Sequence, residues 1–270
     1  MVVAAGSRPI GMFDAGLGGL TVARAVIDLL PHEDLIYFGD TARCPYGPLE
    51  PEVIRRYSLE IADHLVERGV KLLVVACNSA ESAAFYESTG RYDVPIVTVI
   101  EPGVRAAVAA TRNRRIGMIG TEATVDSEAY ESAMAKTRAN VEFFVQACPK
   151  FVEFVESGDT TSDALIAAAE EYLLPLKEKA IDTLILGCTH YPLLSGVIQY
   201  VMGEEVVLVS SAEPTANEVY ADLLDADLLN RQEQPGDLKF VLSGDPDPEL
   251  GRRFLGPEFG NVENHPWGKA

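Results

Sequence analysis

The sequence predicts an α/β fold of two similar halves with mainly parallel sheets, and three observations carry this reading. Short unbroken apolar runs, the signature of strands buried on both faces, alternate with stretches of helical periodicity. Two of those runs share one design: Leu72 to Ser82 reads LLVVACNSAES and Leu184 to Leu194 reads LILGCTHYPLL. In each, about four apolar residues lead into a cysteine followed by small or hydroxylic residues suited to opening a helix. The opening of the chain also recurs, since Pro9 to Phe13 (PIGMF) is echoed by Arg115 to Gly120 (RIGMIG). Cys77 follows Ile10 by 67 residues and Cys188 follows Ile116 by 72, as a repeated unit would require.

Taken in order, Pro9 to Phe13 is the first expected strand. It ends in Asp14-Ala15-Gly16-Leu17-Gly18-Gly19, and an apolar helical pattern runs from Leu20 through Val26 and Leu29. The glycine-rich turn lacks the spacing of a dinucleotide fingerprint or a phosphate loop, but Asp14 at the end of a buried strand needs a partner. Leu35 to Phe38 is a second strand, followed by Gly39-Asp40-Thr41 and the turn-rich Cys44-Pro45-Tyr46-Gly47-Pro48. Pro51 at a first helical turn begins a helix with Ile54, Tyr57, Ile61 and Leu65 on one face. After the strand into Cys77, Pro95 to Ile100 reads as another strand punctuated by Glu101-Pro102-Gly103.

The second unit starts at Arg115, with Thr121 to Thr124 where Ala15 to Gly18 stood. A strand at Val141 to Val145 and Cys148-Pro149 precede a helix from Phe151 to Val155 that ends near Glu156. A further helix turns Ile166, Ala169, Leu173 and Leu176 inward, and Val206 to Val209 closes the half. Glu213-Pro214 opens a helix with Ala216, Val219 and Leu223 in register. Lys239 to Leu242 is strand-like, with a turn at Gly244-Asp245-Pro246, but pattern alone does not place it.

A chain of 270 residues, 47% hydrophobic, can bury a substantial core. Its formal charge of −19 argues against nucleic acid or an anionic membrane as a general partner. With neither an export signal nor a membrane-length apolar run in view, the expected location is cytoplasmic. There Cys44, Cys77, Cys148 and Cys188 are expected as free thiols. Cys188 and His190 have no second ligand pair close by, so no metal is expected.

A thiol of ordinary pKa is only about 3% thiolate at neutral pH, and a helix amino terminus helps to form the reactive anion. Cys77 and Cys188 both stand where such a terminus is expected. Asp14 near a thiol raises its pKa, so Asp14 suits a proton acceptor or a partner for an ammonium group. Thr121, Thr124, Ser79, Thr189 and Tyr46 add hydroxyl groups along the same sheet edge. This inventory suits a small amino acid held between two opposed bases, and no cofactor is called for.

The stretches FDAGLGGLTV, GDTARCPYG, ACNSA, GTEATV, CPKFVEFVE and LGCTHYP resemble, in order and spacing, the glutamate racemases of the cofactor-independent aspartate/glutamate racemase superfamily. The resemblance implies L- and D-glutamate interconversion for peptidoglycan by two α/β domains related by pseudo-symmetry, with the site in the cleft between them. It implies a first domain of residues 1–101 plus 214–270 and a second of 102–213. Carried over residue by residue, it makes Cys77 the thiol serving the D-enantiomer and Cys188 the one serving the L-enantiomer. Asp14 and His190 become their assisting groups, with Glu156 near the histidine. Asp14, Ala15, Tyr46, Gly47, Asn78, Ser79, Thr189 and His190 match substrate-binding positions, with Thr121 and Thr124 beside them.

Ala15 departs from the family's usual serine and removes a hydroxyl beside the substrate, whereas Ser79 keeps the hydroxyl of the usual threonine. The alternatives are a racemase for aspartate or another amino acid, a non-catalytic amino-acid binder, and a thiol-redox or zinc protein. A homodimer is admitted, although no residue identifies its interface.

Overall fold

The apolar runs become the strands of two parallel sheets in the computed structural model, which describes residues 5–83, 90–245 and 248–266. In the first, β1 (Ile10–Asp14) lies between β2 (Leu35–Gly39) and β3 (Leu72–Val75), and β4 (Ile96–Thr98) lies beyond β3. In the second, β5 (Arg115–Gly120) lies between β6 (Glu142–Ala147) and β7 (Thr183–Gly187), with β8 (Val207–Ser210) beyond β7. The orders β2-β1-β3-β4 and β6-β5-β7-β8 are the same order. Register repeats too: Ile10 faces Leu72 across β1 and β3, as Ile116 faces Thr183 across β5 and β7. The first sheet is then extended past β2 by β9 (Leu238–Leu242) and β10 (Val262–Asn264), both parallel. The tail strand that pattern alone left unplaced thus lies beside β2.

Helices form where the sequence supplies an apolar stripe. α1 (Leu20–Leu29) buries Leu20, Val22, Ala23 and Val26; α2 (Pro51–Glu67) starts on its proline and buries Ile54, Ile61 and Leu65. The short α3 (Asn78–Ser82) follows β3, and α4 (Ile100–Ala110) follows β4. The expected strand to Ile100 therefore ends at Thr98, and Glu101-Pro102-Gly103 lies in the first turns of a helix. Proline needs no N–H partner there, and an acid favours the positive helix end.

The second half holds α5 (Glu122–Asp126), α6 (Ala129–Thr137), α7 (Lys150–Glu156), α8 (Asp163–Lys177) and α9 (Ser195–Met202). Ser162 caps α8 by accepting the N–H of Leu165 at 3.1 Å, and Leu165 rather than Ile166 is the fully buried residue of that turn. α10 (Ala212–Asp225) packs on α1 and α4, and α11 (Pro248–Leu255) packs on α1. One buried apolar cluster runs from Ile10 and Leu72 through Leu184 to Leu223, so the two sheets share a core. The turn expected at Gly244-Asp245-Pro246 is described as far as Asp245; Pro246 lies outside the described residues.

Candidate active site

Both sheets present their carboxyl ends to one pocket, the edge at which open α/β sheets bind ligands. From β3 the chain passes through Ala76 to Cys77, which is extended and caps α3, its Sγ accepting the N–H of Ala80 at 3.4 Å. The next two residues, Asn78 and Ser79, also line the pocket. Asn78 Oδ1 accepts the hydroxyl of Tyr130 at 2.7 Å, while its buried Nδ2 has no partner among the described residues and can donate to a ligand.

From β7 the chain delivers Cys188, Thr189 and His190 to the same pocket. Here the structure departs from expectation. Cys188 is followed by a 3-10 turn, Tyr191–Leu194, and α9 begins only at Ser195, so no helix starts on this cysteine. Pro192 has no N–H to give to Cys188 O, the first bond of an α-helix capped there; the N–H of Tyr191 takes that carbonyl instead at 3.1 Å, and a side chain takes the place of the helix end. His190 Nδ1 lies 3.8 Å from Cys188 Sγ, and its Nε2 lies 2.6 Å from Glu156 Oε1 at the end of α7. Phe254 of α11 meets the imidazole edge to face, with ring centroids 5.5 Å apart.

The glycine turn after β1 is shaped by this neighbour. A side chain on Gly18 would place its Cβ 2.4 Å from Thr189 Oγ1 and 2.6 Å from His190 Nδ1, so only glycine admits the Cys188 loop. Tyr37 fixes the turn from β2 by donating to Gly16 O at 2.8 Å. Asp14, 1% exposed, accepts the N–H of Gly16 at 3.1 Å and stands 3.5 Å from the Thr189 hydroxyl.

Hydroxyl groups bridge the two halves opposite this turn. Ser79 Oγ lies 2.9 Å from Thr121 Oγ1 and 3.4 Å from Thr124 Oγ1, and the two threonine hydroxyls are 3.0 Å apart. Thr121 caps α5, its side chain accepting the N–H of Thr124 at 3.3 Å. Tyr46 is held over the pocket by its bond to Asp40, which Arg43 and Ser243 also contact, at 2.6 and 2.7 Å.

The two sides differ electrostatically. Burial pushes the Cys77 thiol well above its usual range and the charge of Asp14 adds to this, opposed by the N–H groups of Ala80 and Ala15. Burial alone would lower His190, but its contacts with Cys188 and Glu156 outweigh this and raise it to about 10. At neutral pH the pocket therefore holds a protonated thiol beside Asp14 on one side. On the other, an imidazolium faces a second sulfur.

The lining includes all the substrate-binding residues expected from sequence except Thr124. Thr124 is fully buried and acts on the pocket through the Thr121 and Ser79 hydroxyls. Glu156 does not line it either and touches it through His190. Sequence reading passed over Cys44, Pro45 and Val152, which do line it, and Asp40 beneath Tyr46. Asp40 carried a usable signal: like Asp14, which ends β1, it is an acid at the end of a buried strand. Among the described residues no group of three or more His, Cys, Asp or Glu side chains is placed to hold a metal ion.

Two parallel sheets of one strand order thus meet at one pocket that takes a thiol from each, the architecture of a two-sheet α/β protein with its site between the sheets. Residues 20–219 match the model of the Asp/Glu/Hydantoin racemase family. The glutamate racemase of Acidothermus cellulolyticus is 55% identical over 257 residues, covering 94% of this chain and 97% of that relative. Among solved structures, glutamate racemase isoform RacE1 of Bacillus anthracis superposes with a TM-score of 0.89 at 37% identity, covering 96% of this chain and 97% of that one. A glutamate racemase of Francisella tularensis in complex with D-glutamate gives 0.90 at 33% identity, covering 96% and 98%. The chain belongs to the Asp/Glu/Hydantoin racemase family.

Proposed function

We propose that this protein is a glutamate racemase that interconverts L- and D-glutamate without a cofactor, through one thiol on each side of the α-carbon. The observation that carries this reading is that Cys77 and Cys188 leave equivalent strands, β3 and β7, of two sheets with one strand order and line one pocket. In each direction a thiolate takes the α-proton from one face, and the opposite thiol gives its own proton to the other face. The electron pair of the broken C–H bond becomes that of the new one. Cys188 serves the L-enantiomer and Cys77 the D-enantiomer.

His190, oriented by Glu156, supplies positive charge beside Cys188, and Asp14 is the corresponding group on the Cys77 side. The amide of Asn78, the hydroxyls of Ser79, Thr121 and Thr189, Tyr46 and the backbone of Ala15 and Gly47 are the proposed contacts for the substrate's polar groups. Two domains, residues 1–101 with 214–270 and residues 102–213, fit this scheme. β9 and β10 extend the first sheet, and α4 packs on α6 and β7 of the second. The proposed role is cytoplasmic supply of D-glutamate for peptidoglycan.

Circular dichroism of purified protein with L-glutamate and no additive tests the activity. Racemisation should appear in the wild type and collapse by several orders of magnitude in Cys77→Ser and Cys188→Ser, because an alcohol is a far weaker acid than a thiol. Substantial racemisation in either variant would refute the two-thiol scheme.

A further inference from the structure

Glu81 is a buried carboxylate that the proton transfer does not use. It lies on α3, four residues beyond Cys77, and is 3% exposed. Its Oε2 accepts the backbone N–H of Val99 at 2.7 Å and of Ile100 at 2.9 Å. Those two groups open α4, where the chain leaves the first sheet after β4 and goes on to pack against α6 and β7. Residue 99, the local capping position of α4, is a valine and makes no side-chain cap. The cap is instead supplied from the helix that carries the Cys77 side of the pocket. A desolvated carboxylate is a costly way to satisfy two N–H groups that a local Ser, Thr or Asp would serve.

Other contacts join α3 to the second half: Asn78 with Tyr130 at 2.7 Å, and Ser79 with Thr121 at 2.9 Å and Thr124 at 3.4 Å. All involve residues at the amino end of α3, next to Cys77. Glu81 ties down the other end. The helix is thereby tied at its amino end to the half that carries Cys188 and at its other end to the start of α4, which runs on to pack against that half.

We propose that Glu81 is a positioning residue for Cys77: by tying α3 to the first N–H groups of α4 it holds the Cys77 thiol facing the substrate opposite Cys188. The inference rests on the two-thiol reading above. A residue with a purely structural role would affect both thiols alike, whereas this one acts on the Cys77 side.

The two sides separate in a reaction that needs only one base. From β-chloroglutamate, loss of the α-proton to a thiolate and of chloride from the β-carbon gives an enamine, which hydrolyses to 2-oxoglutarate and ammonia. Elimination from the D-enantiomer should need Cys77 and from the L-enantiomer Cys188, as Cys77→Ser and Cys188→Ser establish. In full-length Glu81→Ala, kcat for the D-enantiomer should fall at least tenfold while kcat for the L-enantiomer stays within about twofold, since a small misplacement of a reacting group is enough for such a loss. KM rises for both, because Asn78 and Ser79 share the helix. Glu81→Gln keeps an oxygen that accepts both N–H groups and should restore the D-side kcat to within about threefold of wild type.

Equal loss on both sides, no loss on the D side, or a glutamine variant as impaired as the alanine one overturns the assignment of Glu81. If the two cysteine variants fail to separate the enantiomers, the two-thiol reading falls first and this inference with it.

Discussion

Nδ1 of His190 lies 3.8 Å from Sγ of Cys188, and the opposite ring nitrogen is held 2.6 Å from Glu156 Oε1. The carboxylate orients the ring and favours its protonated form, so the sulfur faces a positive charge inside a buried site. Cys77 has no such neighbour. It has Asp14, and its thiol is held in the protonated form.

This relationship fixes the sign of a pH effect. His190 is raised from an ordinary 6.5 to about 10, so the folded protein holds this proton more tightly than the unfolded chain does. Its contribution to stability is complete below pH 6.5 and is lost as pH rises towards 10. kcat/KM should fall over the alkaline part of the same window. Glu156→Gln removes one of the raising contacts and should move that alkaline limb to lower pH. A pH–rate profile with an unmoved limb would show that Glu156 does not govern the histidine.

Gly18 tests the contact between the two halves. An alanine there puts a methyl carbon 2.4 Å from Thr189 Oγ1 and 2.6 Å from His190 Nδ1, so the Cys188 loop must retreat. Gly18→Ala should lower kcat/KM by about 100-fold, as a displacement of about 1 Å in a reacting group can. The fold should persist by circular dichroism. Near-normal turnover would show that the loop moves away at little cost.

Much of this was legible in the sequence because a buried parallel strand, a turn and a helix leave a local signature. The strands ending at Asp14, Gly120 and Gly187 and the residues after them could be read one segment at a time. Repetition of that signature pointed to the paired cysteines. Illegible were features that depend on distant partners. Nothing local to Leu238–Leu242 says that it lies beside β2, nor that Phe254 meets His190. Nor does anything in CNSAES announce that Glu81 caps a helix that starts at Ile100. The helix expected after Cys188 failed for a local reason, the proline four residues on.

Lys71 and Glu33 form a buried pair of this distant kind. Lys71 is fully buried against Glu33 and also donates to Gly6 O at 2.6 Å and Leu228 O at 2.9 Å, joining three separate segments. Lys71→Met leaves the carboxylate without its cation and should destabilise the protein by about 3–5 kcal/mol in urea unfolding. kcat per folded molecule should stay within about twofold. A change below about 1 kcal/mol would mean that the carboxylate finds water or a proton instead.

Ala15 lines the pocket with no hydroxyl to offer, whereas Asp14 before it in the chain and Tyr46, which also line it, carry polar groups. A hydrogen bond to a charged group contributes about 1.5–3 kcal/mol, so Ala15→Ser should raise kcat/KM roughly tenfold or more. Steady-state kinetics in both directions measures it. A neutral or harmful effect would show that the Ser79, Thr121 and Thr189 hydroxyls already satisfy the substrate.

The central claim is that two thiols from opposite sheets act on opposite faces of one carbon, and it fixes the fate of the α-proton. The proton removed by one cysteine is not the proton returned by the other. With either enantiomer of glutamate in deuterated water, at low conversion, mass spectrometry of the separated enantiomers should find deuterium at the α-carbon of the product and protium in the recovered substrate. Appreciable protium carried into the product, from either direction, would mean that a single base serves both faces and would contradict the two-sided geometry.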